Sequence, residues 1–268
     1  MPSLRVLSHA FRAWRRNLQW RKHEPETPYL ADLLSGAPVC LHVGASDGRH
    51  SYVMTQVAPK ATIWAIEPSA FSYAVLKTTV AWHRIGDRVT PVHAAVGDRP
   101  GEMLLVTPRK LTGRMGRAYA FVAETTPDGE ARPDLQDAGL ETQPTQVITL
   151  DDFCAERGIA QVDFIRMDIE GAELMALQGA ERMLAAANPP VWLVEMNGLL
   201  HEYGISEEVF CDWMKGRGYD TAIYDADARA LHFGGRPWQV RDNVLFIAAQ
   251  ERDAVEARIH SAPLKSPA

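Results

Sequence analysis

Four carboxylates in this sequence stand where an apolar run stops. Asp47 follows Val39–Gly44, Glu67 follows Thr62-Ile63-Trp64-Ala65-Ile66, Asp168 follows Phe164-Ile165-Arg166-Met167, and Glu195 follows Val191-Trp192-Leu193-Val194. One acid in such a place often does no more than cap the free N–H groups of a helix start. Four are harder to dismiss, because open α/β sheets bind their ligands outside the carboxyl ends of the strands. Acids there can hold ribose hydroxyls or take a proton from a substrate.

The first of these places is the most specific. The apolar run Val39-Cys40-Leu41-His42-Val43 breaks at Gly44-Ala45-Ser46-Asp47-Gly48, as a buried strand does when it turns tightly into a helix. Glu67, followed by Pro68, lies 23 positions after Gly44, close to the separation of about 20 at which a second-strand acid meets a ribose. Together they predict a site for a nucleoside-bearing cofactor. A dinucleotide fingerprint would place a glycine where Ser46 stands, and Asp47 would repel a pyrophosphate. The same acid suits a cationic amino-acid end such as that of S-adenosylmethionine. A nicotinamide-dependent oxidoreductase is therefore the weaker enzyme reading, and a non-catalytic cofactor-binding scaffold is the alternative from another class.

Asp168 and Glu195, with Asn197 two residues on, form the expected acceptor side. Three hard oxygen ligands would suit Mg²⁺, which could orient and acidify a hydroxyl; the simpler reading has them hydrogen-bond the substrate, and no metal ligand is assigned. Candidate bases are Asp168, His201, His50 and His83. His201 ranks first among the histidines because it follows the fifth strand end, and His50 next, one turn into the cofactor helix.

The elements that must position these groups alternate strand and helix from Pro38 onward, which predicts a parallel sheet covered on both faces. Strands are expected at 39–43, 62–66 and 89–95, helices at 48–58 and 69–83, and a returning strand at 102–107 that decorates the sheet. Residues 108–146 lose periodicity and read as an insertion serving as substrate lid. After it come a short helix opened by Asp151-Asp152, the strands ending at Asp168 and Glu195, and a helix near 206–217. Closing strands follow near 219–224 and 243–248. The domain is taken as 37–250, preceded by residues 1–36 as a basic helix and hinge and followed by 251–268 as a polar tail.

At 268 residues and 46% hydrophobic content the chain can bury a sizeable core. Net charge of −6 and the lack of a basic-aromatic surface run argue against nucleic acid as partner. Arg5, Arg12, Arg15, Arg16, Arg21 and Lys22 all precede the first acid, so the body is more acidic than the total suggests. Leu4, Leu7, Phe11, Trp14 and Leu18 recur at spacings of three and four, an amphipathic helix. Its apolar stripe is expected to dock on the body or on a twin subunit in a homo-oligomer; the competing reading is peripheral contact with a membrane through residues 4–18. The three cysteines, Cys40, Cys154 and Cys211, form no framework, and with no span of about 18 apolar residues the chain reads as cytoplasmic, or peripheral at the inner membrane face.

The segments LHVGASDG, WAIEPS, HAAVGDRPG, ITLDDF, VDFIRMDIEGAELMALQGAERML and WLVEMN, in this order, resemble the FkbM family of S-adenosylmethionine-dependent methyltransferases. The resemblance runs from about Val39 to Ile247 and implies a Rossmann-like, seven-stranded sheet, mostly parallel with an antiparallel last strand. It implies O-methylation of a hydroxyl on a sugar, glycan or natural product. By position, Gly44, Ala45, Ser46 and Asp47 would line the methionine end of the cofactor, Glu67 the ribose, and the Ala95–Asp98 turn the adenine. The family usually has an acid where this chain has His42, one residue before the Val-Gly pair.

Overall fold

The computed structural model describes residues 2–20, 27–108, 121–122 and 140–261. In its first half the chain forms α1 (Leu4–Asn17), α2 (Thr27–Leu33), β1 (Val39–Val43), α3 (Arg49–Val57), β2 (Thr62–Ile66), α4 (Ala70–His83), β3 (Val89–Val92), β4 (Ala95–Val96), β5 (Gly101–Pro108), β6 (Phe121–Val122) and β7 (Leu140–Ile148). The second half adds α5 (Leu150–Glu156), β8 (Phe164–Met167), α6 (Glu173–Gln178), α7 (Glu181–Leu184), β9 (Val191–Glu195), α8 (Glu207–Lys215), β10 (Tyr219–Asp225), β11 (Ala230–Phe233), β12 (Asn243–Ala248) and α9 (Arg252–Ser261).

The main sheet has the order β11-β10-β12-β9-β8-β1-β2-β3, with β12 antiparallel to both its neighbours. Parallel strands covered on both sides must be apolar on both sides, and these are. Leu41, Val43, Ile165, Met167, Trp192 and Val194 enter one core; Cys40, Ile63, Phe164, Leu193 and Leu245 enter the other. The in-register pair His42–Arg166 is the polar interruption of that second face, and both side chains are buried. Serine or threonine caps three of the helices that flank the sheet. Ser69 accepts from the Ser72 amide, Thr149 from Asp152 and Ser206 from Val209, each supplying an acceptor to a first-turn donor.

The expected seven-stranded, mostly parallel Rossmann-like sheet is present, with one strand more. β11 pairs antiparallel with β10 at the edge after a turn in which Asp225 Oδ1 accepts the amides of Asp227 and Ala228. The returning strand β5 does not decorate the main sheet; it joins a second sheet of order β4-β7-β5-β6. β7 runs from Leu140, so residues 140–146 of the expected insertion are strand, with polar Gln143 and Thr145 on the same alternate-residue face as Val147. A strand whose inward positions are polar carries no hydrophobic alternation to read. The expected lid at 108–146 otherwise falls mostly on residues 109–120 and 123–139, outside the described residues.

Three further expectations at the ends are corrected. Thr27 and Pro28, read as part of a hinge, open α2, consistent with the tolerance for proline in a first helical turn; residues 24–26 lie outside the described residues. The polar tail is a helix over 252–261: Val255 and Ile259, one turn apart, are both buried, and Arg258 donates to the Leu33 carbonyl of α2. α1 docks on the body, but not by the stripe predicted. Val6, Ala10, Ala13 and Asn17 are its buried face, with Val6 and Ala10 packed on Val75, Phe71 and Ala74 of α4. Small side chains let the two helices approach closely, and the larger apolar residues are left on another face.

Candidate functional site

A cleft of about 660 Å³ opens at the carboxyl ends of β1, β2, β8 and β9, of a size that holds a nucleoside-bearing ligand. Its floor depends on Gly44. The residue sits at φ +79°, and its amide and that of Ala45 both donate to the Ile66 carbonyl, at 3.0 and 2.9 Å. A Cβ at Gly44 would lie 1.8 Å from the Asp168 carbonyl oxygen, so the turn after β1 rests directly on the backbone that carries Asp168. The cofactor loop and the acceptor loop are one contact.

Glu67 lines the cleft. It is buried, and each carboxylate oxygen accepts one backbone amide: Ser46 at 2.7 Å from the first loop and Ser69 at 2.9 Å from its own. Burial pushes its pKa up to about 7 despite those two amides, which pull the other way. Each oxygen retains acceptor capacity for a hydroxyl. Ala95, Val96, Met103 and Leu105 give the lining an apolar part suited to a flat base. Asp47, also in the lining, accepts two hydrogen bonds from Arg16 of α1, at 2.8 and 2.9 Å. An acid and a base side by side match a zwitterionic amino-acid end, while the carboxylates along the cleft oppose a pyrophosphate. The residues present thus fit S-adenosylmethionine.

On the acceptor side, Arg166 is buried and reaches both Asp168, at 3.3 Å, and Glu195, at 3.8 Å. Asp168 stays below the usual carboxylate range: burial works against it, and is outweighed by Arg166, the hydrogen bond with Glu195 and His50 nearby. Glu195 moves the other way, raised by burial and by sharing that hydrogen bond with Asp168. The two carboxyls thus differ in how readily they ionise, and both lie within reach of the Arg166 guanidinium. Asn197 donates to Glu170 at 3.2 Å and, through its carbonyl oxygen, accepts the Leu199 amide. Among the described residues no group of three or more metal-ligating side chains is placed to hold an ion.

The turn between Asp168 and α6 is fixed from within. Glu170 adopts φ +57° and Gly171 φ +105°, and a Cβ on Gly171 would meet the Leu199 carbonyl oxygen at 2.4 Å. Buried Glu173 accepts the Ile169 amide at 3.1 Å and is pushed up to about 7 by burial.

Those raised carboxyls make stability fall with pH. A buried acid that ionises near 7 keeps a proton that the unfolded chain has already released above about pH 4.3. Below about pH 6.5 His42 and His83, both lowered by burial, oppose the trend, because the unfolded chain then binds their protons more tightly. Above it only the carboxyls remain. Thermal melts of the ligand-free protein should therefore show Tm dropping between pH 6.5 and 8, with a smaller drop in Glu173→Gln; a rise over that range would refute the assignment.

Of the residues singled out from the sequence, the cleft gathers Gly44, Ala45, Ser46, Asp47, Glu67, Pro68, Ala95, Asp168, Glu195, His50 and Asn197. Asp98 is not among its lining, since the chain turns away after Val96. His201 is not there either: it sits in a 3₁₀ turn with its side chain 63% exposed and paired to Glu207 at 3.3 Å. His83 packs its ring 4.0 Å from that of Tyr52, away from the cleft, and burial lowers its pKa to about 4. His42, where the family usually has an acid, donates to or accepts from Ser51 Oγ at 2.7 Å and is held neutral by burial and by the nearby His50 and Arg166.

Arg16, Arg166, Met103 and Leu105 line the cleft and were not found in the sequence. Arg166 had a signal. A buried arginine inside an apolar strand must be paired, and an acid two residues on shares its strand face. Arg16 had none, because nothing local ties a helix near the start to a loop at residue 47.

An open, mostly parallel sheet with antiparallel strands toward one edge and a cleft at the carboxyl ends of its strands is a Rossmann-like architecture. The model of the methyltransferase FkbM domain matches residues 42–221, and the chain belongs to that family. The 31-O-demethyl-FK506 methyltransferase FkbM of Streptomyces tacrolimicus is 28% identical over 159 residues, 53% of this chain and 59% of that protein. The 2-O-methyltransferase NoeI of Sinorhizobium fredii (strain NBRC 101917 / NGR234) is 27% identical over 165 residues, 55% of this chain and 59% of that one. The chain thus spans somewhat over half the length of these relatives. The precorrin-6y C5,15-methyltransferase of Geobacter metallireducens GS-15 aligns over 81% of each chain at 13% identity and a TM-score of 0.41, a likeness too loose to carry an argument.

Proposed function

We propose that this chain is an S-adenosylmethionine-dependent O-methyltransferase whose acceptor is a hydroxyl of a sugar, glycan or small natural product. The observation that carries the reading is Glu67, a buried carboxyl in the cleft lining whose two oxygens are tethered to the two cofactor loops, each keeping acceptor capacity for a hydroxyl. Glu67, Asp168 and Glu195 line the same cleft, so a nucleoside held at the first leaves the other two for the acceptor. Both relatives are named for transfer to an oxygen.

When bound, S-adenosylmethionine supplies a methyl group already activated on a sulfonium, so positioning carries much of the rate. The protein's share is to hold the acceptor hydroxyl and receive its proton. Asp168, ionised and steadied by Arg166, accepts the hydroxyl's hydrogen bond; Glu195 carries the shared proton and keeps Asp168 oriented. Arg166 stands between the two carboxylates and offsets their charge as an ion would. Asn197 and Glu170, bonded to each other, close the acceptor side.

Glu67→Ala should weaken binding of S-adenosylhomocysteine by about 10- to 100-fold, which corresponds to the ~1.5–3 kcal/mol of charge-assisted hydrogen bonds. Titration calorimetry reads this, with Glu67→Gln as the milder variant because it keeps one acceptor for a loop amide. Equal affinity in all three proteins would show that the ribose does not lie on Glu67.

A further inference from the structure

α1 is held to the body by its small residues, and that leaves its large ones outward. Leu4 is 86% exposed, Phe11 51% and Leu18 52%, while Leu7 and Trp14 are half-buried beside them. Arg5, Arg12 and Arg15 are exposed along the same helix, which contains no acid. Among the described residues no carboxylate pairs with any of the three; Arg5 lies over the Phe71 ring and Arg12 contacts His9 and the Ser8 carbonyl. Arg16 is the exception, bonded through the cleft wall to Asp47.

The geometry points to α1 as a docking surface for an anionic lipid bilayer, with the cofactor cleft tied to that surface through Arg16 and Asp47. A bilayer is the occupant that this face fits. Its apolar side chains lie along one line of a 14-residue helix, about 21 Å long, with arginines at their side, the arrangement of a helix lying in the headgroup plane. Three exposed apolar side chains on one helix fall well short of the roughly 800 Å² that each partner contributes to a stable protein interface. A lipid surface needs no such area and no shape match, only apolar insertion and opposite charge. No described helix is long and apolar enough to cross a membrane, so the contact is one of lying on it.

The consequence for the enzyme rests on the methyltransferase reading: the cleft mouth would be carried at the bilayer surface, suiting acceptors presented there. The docking itself does not depend on that reading. Each arginine near an anionic surface is worth about a fivefold change in binding.

Co-sedimentation of the full chain with vesicles of phosphatidylcholine, and of phosphatidylcholine with phosphatidylglycerol, tests the proposal. Binding should require the anionic lipid and weaken with added salt. Arg12→Gln with Arg15→Gln should reduce it by about 25-fold, and Phe11→Ser with Leu18→Ser by at least tenfold. All four positions are exposed, so melting temperature and affinity for S-adenosylhomocysteine should hold, which separates lost docking from lost fold or lost cofactor site. Pelleting that ignores lipid charge, absence of pelleting, or a Phe11/Leu18 variant that instead dissolves an oligomer of this chain would each overturn it.

Discussion

Asp168→Asn should cost two to four orders of magnitude in turnover and leave the affinity for S-adenosylhomocysteine nearly unchanged. The size is that of a lost proton acceptor at a reacting group, about 10²–10⁴. The change is isosteric, and Asn can keep one bond from Arg166, so the loop need not move. What disappears is the negative charge that accepts the acceptor's proton and that Glu195 and Arg166 are arranged around. Single-turnover kinetics beside calorimetry would separate the two quantities. A parallel loss of cofactor affinity would mean that Asp168 serves the cofactor's amino-acid end, and the acceptor side would have to be sought elsewhere.

Gly44→Ala should be the most damaging single substitution to the fold at the site. The added methyl carbon would lie 1.8 Å from the Asp168 carbonyl oxygen, which is backbone and cannot swing aside, and the residue is held at φ +79°. Left-handed backbone strain and overpacking each cost roughly 1–3 kcal/mol, so a loss of about 2–6 kcal/mol is expected in denaturant melts. Whatever folded protein remains would have β1 and β8 pushed apart at their ends, and cofactor binding and turnover should fall together. Wild-type stability in Gly44→Ala would show that the two loops are not in contact.

What could be read from the sequence follows from where the signals lie. Gly44, Glu67, Asp168 and Glu195 were legible because each interrupts an apolar strand at its end, and the hydrophobic runs before them are the signal of a parallel sheet. The first part of β7 carries no hydrophobic alternation because polar Gln143 and Thr145 share the face of Val147. Gln143 bonds Pro68 and Ala70 next to Glu67, so this polar strand fastens the second sheet to the cofactor loop. The periodicity of α1 predicts the helix but not its facing. Hydrophobic periodicity favours Leu4, Phe11 and Leu18 for the interior, whereas close helix packing selected Ala10 and Ala13. His201 was chosen for its place after β9, but a 3₁₀ turn carries its side chain out to Glu207. Long-range pairs such as Arg16–Asp47 leave no local pattern at all.

The most direct test is a crystal structure with S-adenosylhomocysteine bound. The account predicts both ribose hydroxyls on Glu67, the adenine against Ala95, Val96, Met103 and Leu105, the amino-acid end beside Asp47 and Arg16, and the sulfur turned toward Asp168 and Glu195. A nucleoside found away from Glu67, or a sulfur turned away from the Asp168–Glu195 pair, would contradict it.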